Sequence, residues 1–264
     1  MVTHGNGPQV GLLALAPDAP PLDVLDAESQ GLIGYLLGAA RRTALPGREV
    51  VTLLTSVLVD PADPAFDAPT KPIGPAYTQA EAHALATARG WQFAPDGAPD
   101  SARYRRVVAS PQPHAIVELA AVRTLLAAGM LVVCAGGGGI PVRVDAGGAL
   151  HGIEAVVDKD LTAALLARQL EADVLLLLTD VPAVETDWRT PTARALRRAT
   201  PAQLRSMRFA AGSMTPKVEA ACRFVEATGG FAAIGAMQDA AALLRGEAGT
   251  RITLDAIALQ WWDG

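Results

Sequence analysis

The 264-residue sequence lacks the features that mark several classes of protein. It has only two cysteines, Cys134 and Cys222, which stand apart in apolar surroundings, so neither a disulfide scaffold nor a cysteine metal site is expected. A formal net charge of −5 provides no basic surface for nucleic acid or an anionic membrane. No apolar run is long enough to cross a bilayer, and no signal-peptide pattern opens the chain. We therefore expect a cytoplasmic globular protein with reduced thiols.

Several catalytic motifs are missing as well. No segment matches the Walker loop or the glycine-rich loop of protein kinases. Ser213 has no neighbouring His and Asp pattern, so a hydrolase triad is not supported. The glycines of residues 5–11 resemble a dinucleotide fingerprint only loosely, because their spacing differs and no strand precedes them, which makes an NAD-dependent enzyme a remote alternative. No metal site is predicted, since the histidines show no ligand spacing: His4, His83, His114 and His151.

Short apolar runs rich in Val and Leu alternate with segments of helical period. Examples are "REVVTLLTSVLVD", "MLVVCAGGGGIPV", "IEAVVDKDLTAALLARQLEA" and "DVLLLLTDVPAV". This alternation predicts the α/β class, with a parallel sheet covered by helices on both faces, and the length allows one large domain or two small ones. Residues from about 60 to 113 are instead rich in proline and poor in aliphatic runs. They predict an inserted lid subdomain that is partly extended, because proline cannot join the middle of a sheet.

A lysine stands where a helix is predicted to begin. Asp158, Lys159 and Asp160 lie between the strand-like "EAVV" and the helical "LTAALLARQLEA", so Asp158 is predicted to cap the helix. The two aspartates suit a helix N-terminus, but a cation there opposes the helix dipole by up to about 1 kcal/mol. The spacing alone therefore supports a functional role for Lys159 about as well as a chance position at the start of the helix.

The same arrangement recurs in "GSMTPKVEAACRFVEATGG". Thr215 is the predicted cap, Pro216 suits the first helical position, and Lys217 follows in the opening turn, with Gly229 or Gly230 ending the helix. Helices of a doubly wound sheet begin at the carboxyl ends of the strands, where ligands bind. If both helices follow parallel strands, the two ammonium groups and the free backbone N–H groups can meet on one anion, for which a polyphosphate is the candidate.

Three further segments fit an anion site and also fit ordinary structure. Gly136 to Gly139 would let backbone amides approach a ligand, although such a run also makes a sharp turn. Thr179 and Asp180 end a four-leucine strand at the ligand edge, where Asp180 also suits a turn. Lys71 lies between prolines in "PTKPIGP", where the residues alone favour a solvated loop lysine over a functional one. A group of arginines alternates as on a strand, with Arg103 and Arg105 on one face and Arg106 on the other, and surface charge explains them as well as anion binding does.

Taken together, these segments resemble the carbamate kinases of the amino acid kinase family. "THGNGPQVG", "PTKPIGPAYT", "GGGGIPV", "GIEAVVDKDLTAALLA" and "GSMTPKVEAA" occur in the order expected of that family, and the resemblance extends over essentially the whole chain. It implies an open, mostly parallel sheet between helical layers, in a single domain over residues 1–264 that forms a homodimer. It also implies reversible phosphoryl transfer between ATP and carbamate, usually as ATP synthesis from carbamoyl phosphate and ADP in arginine deimination. Mg²⁺ would be held mainly through the nucleotide phosphates.

The resemblance also implies roles for individual residues. Lys159 and Lys217 would neutralise the phosphoryl group during transfer, Asp160 would orient them, and Lys71 would be lowered onto the substrate by the lid. The loops around the carbamate and the phosphoryl group would be formed by Gly5, Asn6, Gly136, Gly137, Gly138 and Gly139. The nucleotide would be bound near Thr179, Asp180, Met214 and Lys217.

The resemblance further indicates that the chain lacks an N-terminal segment of the family. There, a strand, a Gly-Gly-Asn loop that contacts the phosphates and a helix come before the second strand and the "HGNGPQ" loop, about 30–45 residues at ordinary element lengths. We expect the native start to lie further upstream. The alternatives are a truncated, non-catalytic nucleotide-binding paralogue, and a kinase of another small acid, which would not need "PTKPIGP".

Overall fold

The computed structural model describes residues 1–96, 101–188, 190–209, 214–255 and 258–262. The chain divides into two compact units, residues 1–162 and 163–264. Within the described ranges, no helix has the length and apolar character needed to cross a membrane. Ser213 of the "GSMTPK" segment lies outside the described residues.

The first unit is built from short strands and from helices of very different length. Its helices are α1 (Gly7–Leu13), α2 (Leu22–Ala44), α3 (Gln79–Arg89), α4 (Leu119–Ala127) and the start of α5 (Lys159–Gln169). Its strands are β1 (Val50–Thr52), β2 (Ser56–Leu58), β3 (Lys71–Thr78), β4 (Gln92–Pro95), β5 (Arg103–Val108), β6 (Ala115–Ile116), β7 (Leu131–Val133), β8 (Ile140–Val144) and β9 (Leu150–Gly152). Short 3₁₀ helices cover Pro64–Phe66 and Gly136–Gly138.

The Val-rich strands of this unit pair in parallel. β1 pairs with β7, and β2 pairs with β8, while β6 and β9 add antiparallel edges to the second pair. Val2 also forms a parallel bridge with Val133, donating to the Val132 oxygen at 2.8 Å. No strand precedes the first glycine loop in the described residues, as the sequence indicated, and Val2 forms only this isolated bridge. A single paired residue carries no readable period, which is why the sequence did not reveal it.

The proline-rich segment forms a three-stranded antiparallel sheet of its own, in the order β3-β5-β4. Pro72 and Pro75 lie in the outer strand β3 and Pro95 in the outer strand β4, whereas the middle strand β5 has no proline. This agrees with the predicted exclusion of proline from the middle of a sheet. Helix α3 follows β3 directly, because Thr78 and Glu81 form a capping box at its start.

The second unit contains one larger mixed sheet. Its strands are β10 (Val174–Thr179), β11 (Glu185–Thr186), β12 (Arg194–Ala199), β13 (Phe231–Ala236), β14 (Thr250–Ile252) and β15 (Gln260–Trp261), and its helices are the rest of α5, α6 (Pro201–Arg205), α7 (Met214–Thr228) and α8 (Ala240–Arg245). The strands run in the order β10-β13-β14-β12-β11, with β15 against β12. β10 and β13 pair in parallel over six residues each.

Each unit has an apolar core. In the first, Val10 and Leu25 of α1 and α2 pack with Ile73 of β3 and Val156. In the second, the buried side chains include Phe224 of α7 and Ile234 of β13. Both cysteines are buried free thiols as expected, and burial raises the pKa of each to about 12: Cys134 and Cys222.

The predicted α/β class is confirmed, with sheets that mix parallel and antiparallel pairs. Two local predictions were wrong. Three residues of the "EAVV" segment, Ala155, Val156 and Val157, are buried but do not form a strand: Val156 N donates to Ala109 O, and no ladder of pairs forms. Thr215 is not a cap, since helix α7 already includes Met214. Pro216 is tolerated inside the first turn, where an N–H has no helical partner anyway. The helix ends before Gly229, as predicted.

Candidate functional site

Two glycine loops of the first unit interlock. The backbone N–H of Gly137 donates to the oxygen of His4 at 2.7 Å, which joins the Gly136–Gly138 turn to the N-terminal loop. A Cβ on Gly136 would come within 2.2 Å of His4 Nε2, and one on Gly137 within 2.1 Å of Asn6 Nδ2. Gly137 also has φ of +69°. Side chains are therefore excluded from this contact, and the glycine run is more than an ordinary turn.

The end of the same run lies against the segment that leads into α5. Gly138 has φ of +105°, and a Cβ there would come within 2.2 Å of the oxygen of Val157. The oxygen of Gly138 accepts a hydrogen bond from Thr162 Oγ1 at 2.8 Å, with Thr162 fully buried in α5. Gly139 is equally confined, since its Cβ would meet Val57 Cγ2 at 2.3 Å. The glycine loop and the start of α5 are thus fixed to each other.

The start of α5 carries Lys159, as the sequence predicted. Asp158 Oδ1 accepts from the backbone N–H groups of Asp160 and Leu161, at 2.9 and 3.1 Å, so the predicted cap is confirmed. Lys159 Nζ donates to Asp160 Oδ1 at 2.8 Å. The stem of Lys159 passes Gly5, where a Cβ would lie 3.2 Å from Cδ. The ammonium group is held beside the N-terminal glycine loop and remains partly exposed, with 35% of its side chain accessible.

The second oxygen of Asp158 binds Lys71. Lys71 Nζ, at the start of β3, donates to Asp158 Oδ2 at 2.5 Å. Burial alone would raise the pKa of Asp158, but the Lys71 ammonium and the backbone N–H groups of Leu161 and Asp160 outweigh it and lower the pKa below its ordinary value. One carboxylate therefore caps α5 and holds the lysine of the proline-rich sheet. Lys71 is not a solvated loop lysine.

The predicted nucleotide residues lie in the second unit. Thr179 ends β10, and its Oγ1 donates to Asp180 Oδ1 at 3.0 Å. Among the described residues, helix α7 begins at Met214. The helix leads into strand β13, which pairs in parallel with β10. The start of α7 therefore lies at the carboxyl edge of these strands, the edge where Thr179 ends. Lys217 is buried in this first turn, with only 5% of the residue exposed.

The structure thus gathers the predicted residues into two groups, one in each unit. The first unit brings together Gly5, Asn6, Gly136, Gly137, Gly138, Gly139, Lys71, Lys159 and Asp160. The second unit places Thr179, Asp180, Met214 and Lys217 at one sheet edge. No group of three or more metal-binding side chains occurs among the residues that the structure describes.

Sequence reasoning missed two groups of residues. Thr162 and the second role of Asp158 were not found, because both depend on contacts with segments distant in the chain. The buried Asp26 and Ser29 of α2 were also missed, although polar residues three apart in an amphipathic helix are a readable signal. A further signal lay in the composition, since Lys71, Lys159 and Lys217 are the only lysines among 22 basic residues.

Comparison with known proteins gives one consistent family. Residues 1–234 match the sequence profile of the amino acid kinase family. The carbamate kinase of Rhizobium meliloti (strain 1021) is 50% identical over 270 residues, covering 99% of this chain and 82% of that protein. The carbamate kinase of Haemophilus influenzae is 49% identical over 96% of this chain and 83% of its own length.

Solved structures agree. Carbamate kinase from Giardia lamblia bound to citric acid superposes with a TM-score of 0.86 at 40% identity, covering 96% of this chain and 84% of that chain. A structure of Giardia lamblia carbamate kinase bound to AMP-PNP gives a TM-score of 0.82 at 39% identity, with coverage of 96% and 84%. The resemblance drawn from the motifs is confirmed. The chain belongs to the amino acid kinase family and, within it, to the carbamate kinases.

Proposed function

We propose that the chain catalyses reversible phosphoryl transfer between ATP and carbamate. In the direction of ATP synthesis, the bond between phosphorus and the carbamoyl oxygen breaks, and a bond from phosphorus to a terminal oxygen of ADP forms. Carbamate leaves with the electron pair, so no proton or oxidant is needed. The observation that carries the proposal is the ammonium group of Lys159, held beside the N-terminal glycine loop at the start of α5.

The residues of the first unit would bind the small substrate. Backbone N–H groups of a glycine loop can approach phosphate oxygens closely, and Lys159 adds the positive charge that stabilises the transferred group. Asp160 would orient Lys159 through the 2.8 Å contact. Lys71 would supply a second positive charge. It belongs to the proline-rich segment of residues from about 60 to 113, which would act as a lid over the substrate. Transfer of this kind depends on position and charge rather than on a covalent intermediate.

The residues of the second unit would bind the adenine nucleotide. Thr179, Asp180 and Met214 lie at a carboxyl sheet edge, the usual place for ligands in such sheets. Lys217 would act on the phosphate that is transferred. The family's use of ATP is supported by the Giardia lamblia carbamate kinase structure with bound AMP-PNP. We expect Mg²⁺ to bind through the nucleotide phosphates and water, as this ion often does.

A coupled assay tests the reaction. The chain is incubated with carbamoyl phosphate, ADP and Mg²⁺, and ATP is followed through hexokinase and glucose-6-phosphate dehydrogenase. We expect ATP formation, and we place it in the cytoplasm as part of arginine breakdown. Nucleotide binding by calorimetry without turnover would favour a non-catalytic paralogue instead. Turnover with another acyl phosphate but none with carbamoyl phosphate would favour a kinase of another small acid.

Replacing Asp158 separates its two roles. Asp158→Asn keeps an oxygen for the cap of α5 and loses the ion pair with Lys71, whereas Asp158→Ala loses both. Because a displaced binding group can cost up to about a hundredfold in rate, we expect kcat/KM for carbamoyl phosphate to fall about tenfold or more in both variants. Only Asp158→Ala should lose a further ~1 kcal/mol of stability from the missing cap.

Calorimetric melting at neutral pH checks the stability part. The folded pKa of Asp158 is lowered, so its contribution is present above the ordinary value of 3.8 and is lost as the pH falls below it. The difference in Tm between the unaltered chain and Asp158→Asn should therefore shrink on acidification. Unchanged kcat/KM in Asp158→Asn would contradict the role given to the ion pair.

We also propose that the chain is a homodimer, as the resemblance to the family implies. Helix α2 exposes an apolar face with Leu32, Tyr35 and Leu36, of which Tyr35 is 69% exposed. This face lies beside a groove of about 430 Å³ that Leu54 also lines, next to strand β1. Large exposed apolar residues grouped in this way are typical of a contact surface.

Charge on that face should separate the copies. We expect the double variant Tyr35→Glu and Leu36→Glu to elute as a monomer, while the unaltered chain has twice the mass by light scattering. Leu244→Glu in α8 is the matched control, since Leu244 is 47% exposed and belongs to the second unit, whereas α2 belongs to the first. Monomeric mass for the unaltered chain would reject the homodimer.

A further inference from the structure

The side chain of Asn6 is held by helix α2 rather than by the helix that Asn6 precedes. Asn6 is the cap residue of α1, where its oxygen would usually accept a backbone hydrogen bond, but no such bond forms. Its Nδ2 instead donates to Asp26 Oδ1 and to Ser29 Oγ, each at 2.9 Å. Both hydrogens of the amide are thereby used within the protein.

Ser29 fixes which end of the amide faces α2. Its Oγ donates its single hydrogen to the backbone oxygen of Asp26 at 3.0 Å. The hydroxyl then has only acceptor capacity left, so the group that it meets must be the NH₂ end of Asn6. The oxygen Oδ1 remains, and among the described residues it accepts no hydrogen bond. The amide lies against the glycine loop, where a Cβ on Gly137 would come within 2.5 Å of Oδ1.

The buried carboxyl group of Asp26 can accept the hydrogen bond from Asn6 while it is uncharged. Asp26 is 1% exposed, and its Oδ2 has no partner among the described residues. Burial raises the pKa of Asp26 to about 8; the hydrogen bond from Asn6 lowers it, and the nearby acids Asp23 and Glu154 raise it further. A neutral carboxyl group keeps Oδ1 free to accept from Asn6 and avoids an unpaired charge in the core.

We infer that Asp26 and Ser29 are positioning residues, which turn Asn6 so that its Oδ1 accepts a hydrogen bond from an amino group on the small substrate. This inference rests on the proposed function, and it names the substrate feature that the glycine loops recognise. Carbamate and carbamoyl phosphate carry an NH₂ group next to the carboxyl carbon. Acetate and acetyl phosphate carry a methyl group there, which would leave the buried acceptor of Asn6 unpaired.

The test compares two phosphoryl donors. ATP formation from ADP is measured with carbamoyl phosphate and with acetyl phosphate, and the ratio of the two kcat/KM values is the readout. Asp26→Leu and Ser29→Ala each remove one acceptor of the Asn6 amide. We expect each to lower the ratio about tenfold, because the amide can then turn over and present a donor. The KM for ADP should stay unchanged, since Asn6 is not among the residues assigned to the nucleotide.

Conservative variants distinguish orientation from packing. Asp26→Asn and Ser29→Thr keep an oxygen at each position, and we expect them to restore the ratio to within about twofold of the unaltered chain. Glu28→Gln removes an exposed acid from the same helix and serves as the matched control. Ser29→Ala removes a single oxygen, so it remains informative if Asp26→Leu fails to fold.

The outcomes separate the two proposals. An unchanged ratio in folded Ser29→Ala overturns the inference while leaving the proposed function intact. A lowered ratio in Ser29→Thr equal to that in Ser29→Ala also overturns it, because loss of packing would then explain the effect. Failure of the unaltered chain to form ATP from carbamoyl phosphate rejects the proposed function itself.

Discussion

Lys159→Met should abolish most of the phosphoryl transfer while leaving the chain folded. Groups that stabilise the developing charge of a transition state are worth about 10²–10³ or more in rate, so we expect kcat to fall about a thousandfold. Lys159 lies at the start of α5 with its Nζ bound to Asp160, and about a third of its side chain is exposed. Removing it takes away a cation that opposes the helix dipole, so stability should change little. The measurement is kcat from the coupled assay, with Tm from calorimetry.

Two variants serve as controls for Lys159→Met. Arg168→Met removes an exposed cation from the last turn of the same helix, and its kcat should stay within about twofold of that of the unaltered chain. Lys159→Arg keeps the charge but changes its shape, so it should recover only part of the activity. If Lys159→Met keeps more than about a tenth of the activity, Lys159 does not carry the charge that the mechanism requires.

Gly138→Ala should cause the largest loss of stability. The new Cβ would lie 2.2 Å from the backbone oxygen of Val157, and the residue has φ of +105°. The oxygen belongs to the backbone that leads into α5, so it cannot move without displacing Asp158 and Lys159. We expect a loss of more than ~4 kcal/mol, which lowers Tm by about 10 °C or more in a chain of this length.

Gly148→Ala is the control for Gly138→Ala, because it introduces backbone strain without a steric clash. Gly148 has φ of +86°, but a Cβ there meets nothing within 4 Å. Its substitution should therefore cost only the strain of a left-handed residue, about 1–2 kcal/mol. The difference in Tm between the two variants measures the contact with Val157. Equal melting temperatures would show that the glycine loop is not packed against the start of α5 as described.

Features that depend on one turn of chain could be predicted from the sequence. Asp158 caps α5 as its position before "LTAALLARQ" indicated, and Lys159 stands in the first turn. Gly229 ends α7, and prolines stay out of the middle strand of their sheet. The incorrect predictions arose where local preference is weak. The "EAVV" residues have a strand-like composition, but a strand also needs a neighbouring strand with which to pair. Thr215 lies inside α7 rather than at its cap, because the first turn of a helix also accepts a proline.

The sequence by itself determined the α/β class, the family and the place of Lys159 and Lys217 in the first turns of α5 and α7, because apolar period, motif order and helix-cap chemistry are all properties of short segments. Only the tertiary structure decided which of these segments meet. Lys71 and Asp158 are 87 residues apart, and Asn6 and Ser29 are 23 apart, yet each pair is joined by a hydrogen bond. Such contacts follow from how helices and strands pack around a core, and packing depends on the shape of the whole unit rather than on the preference of any one segment.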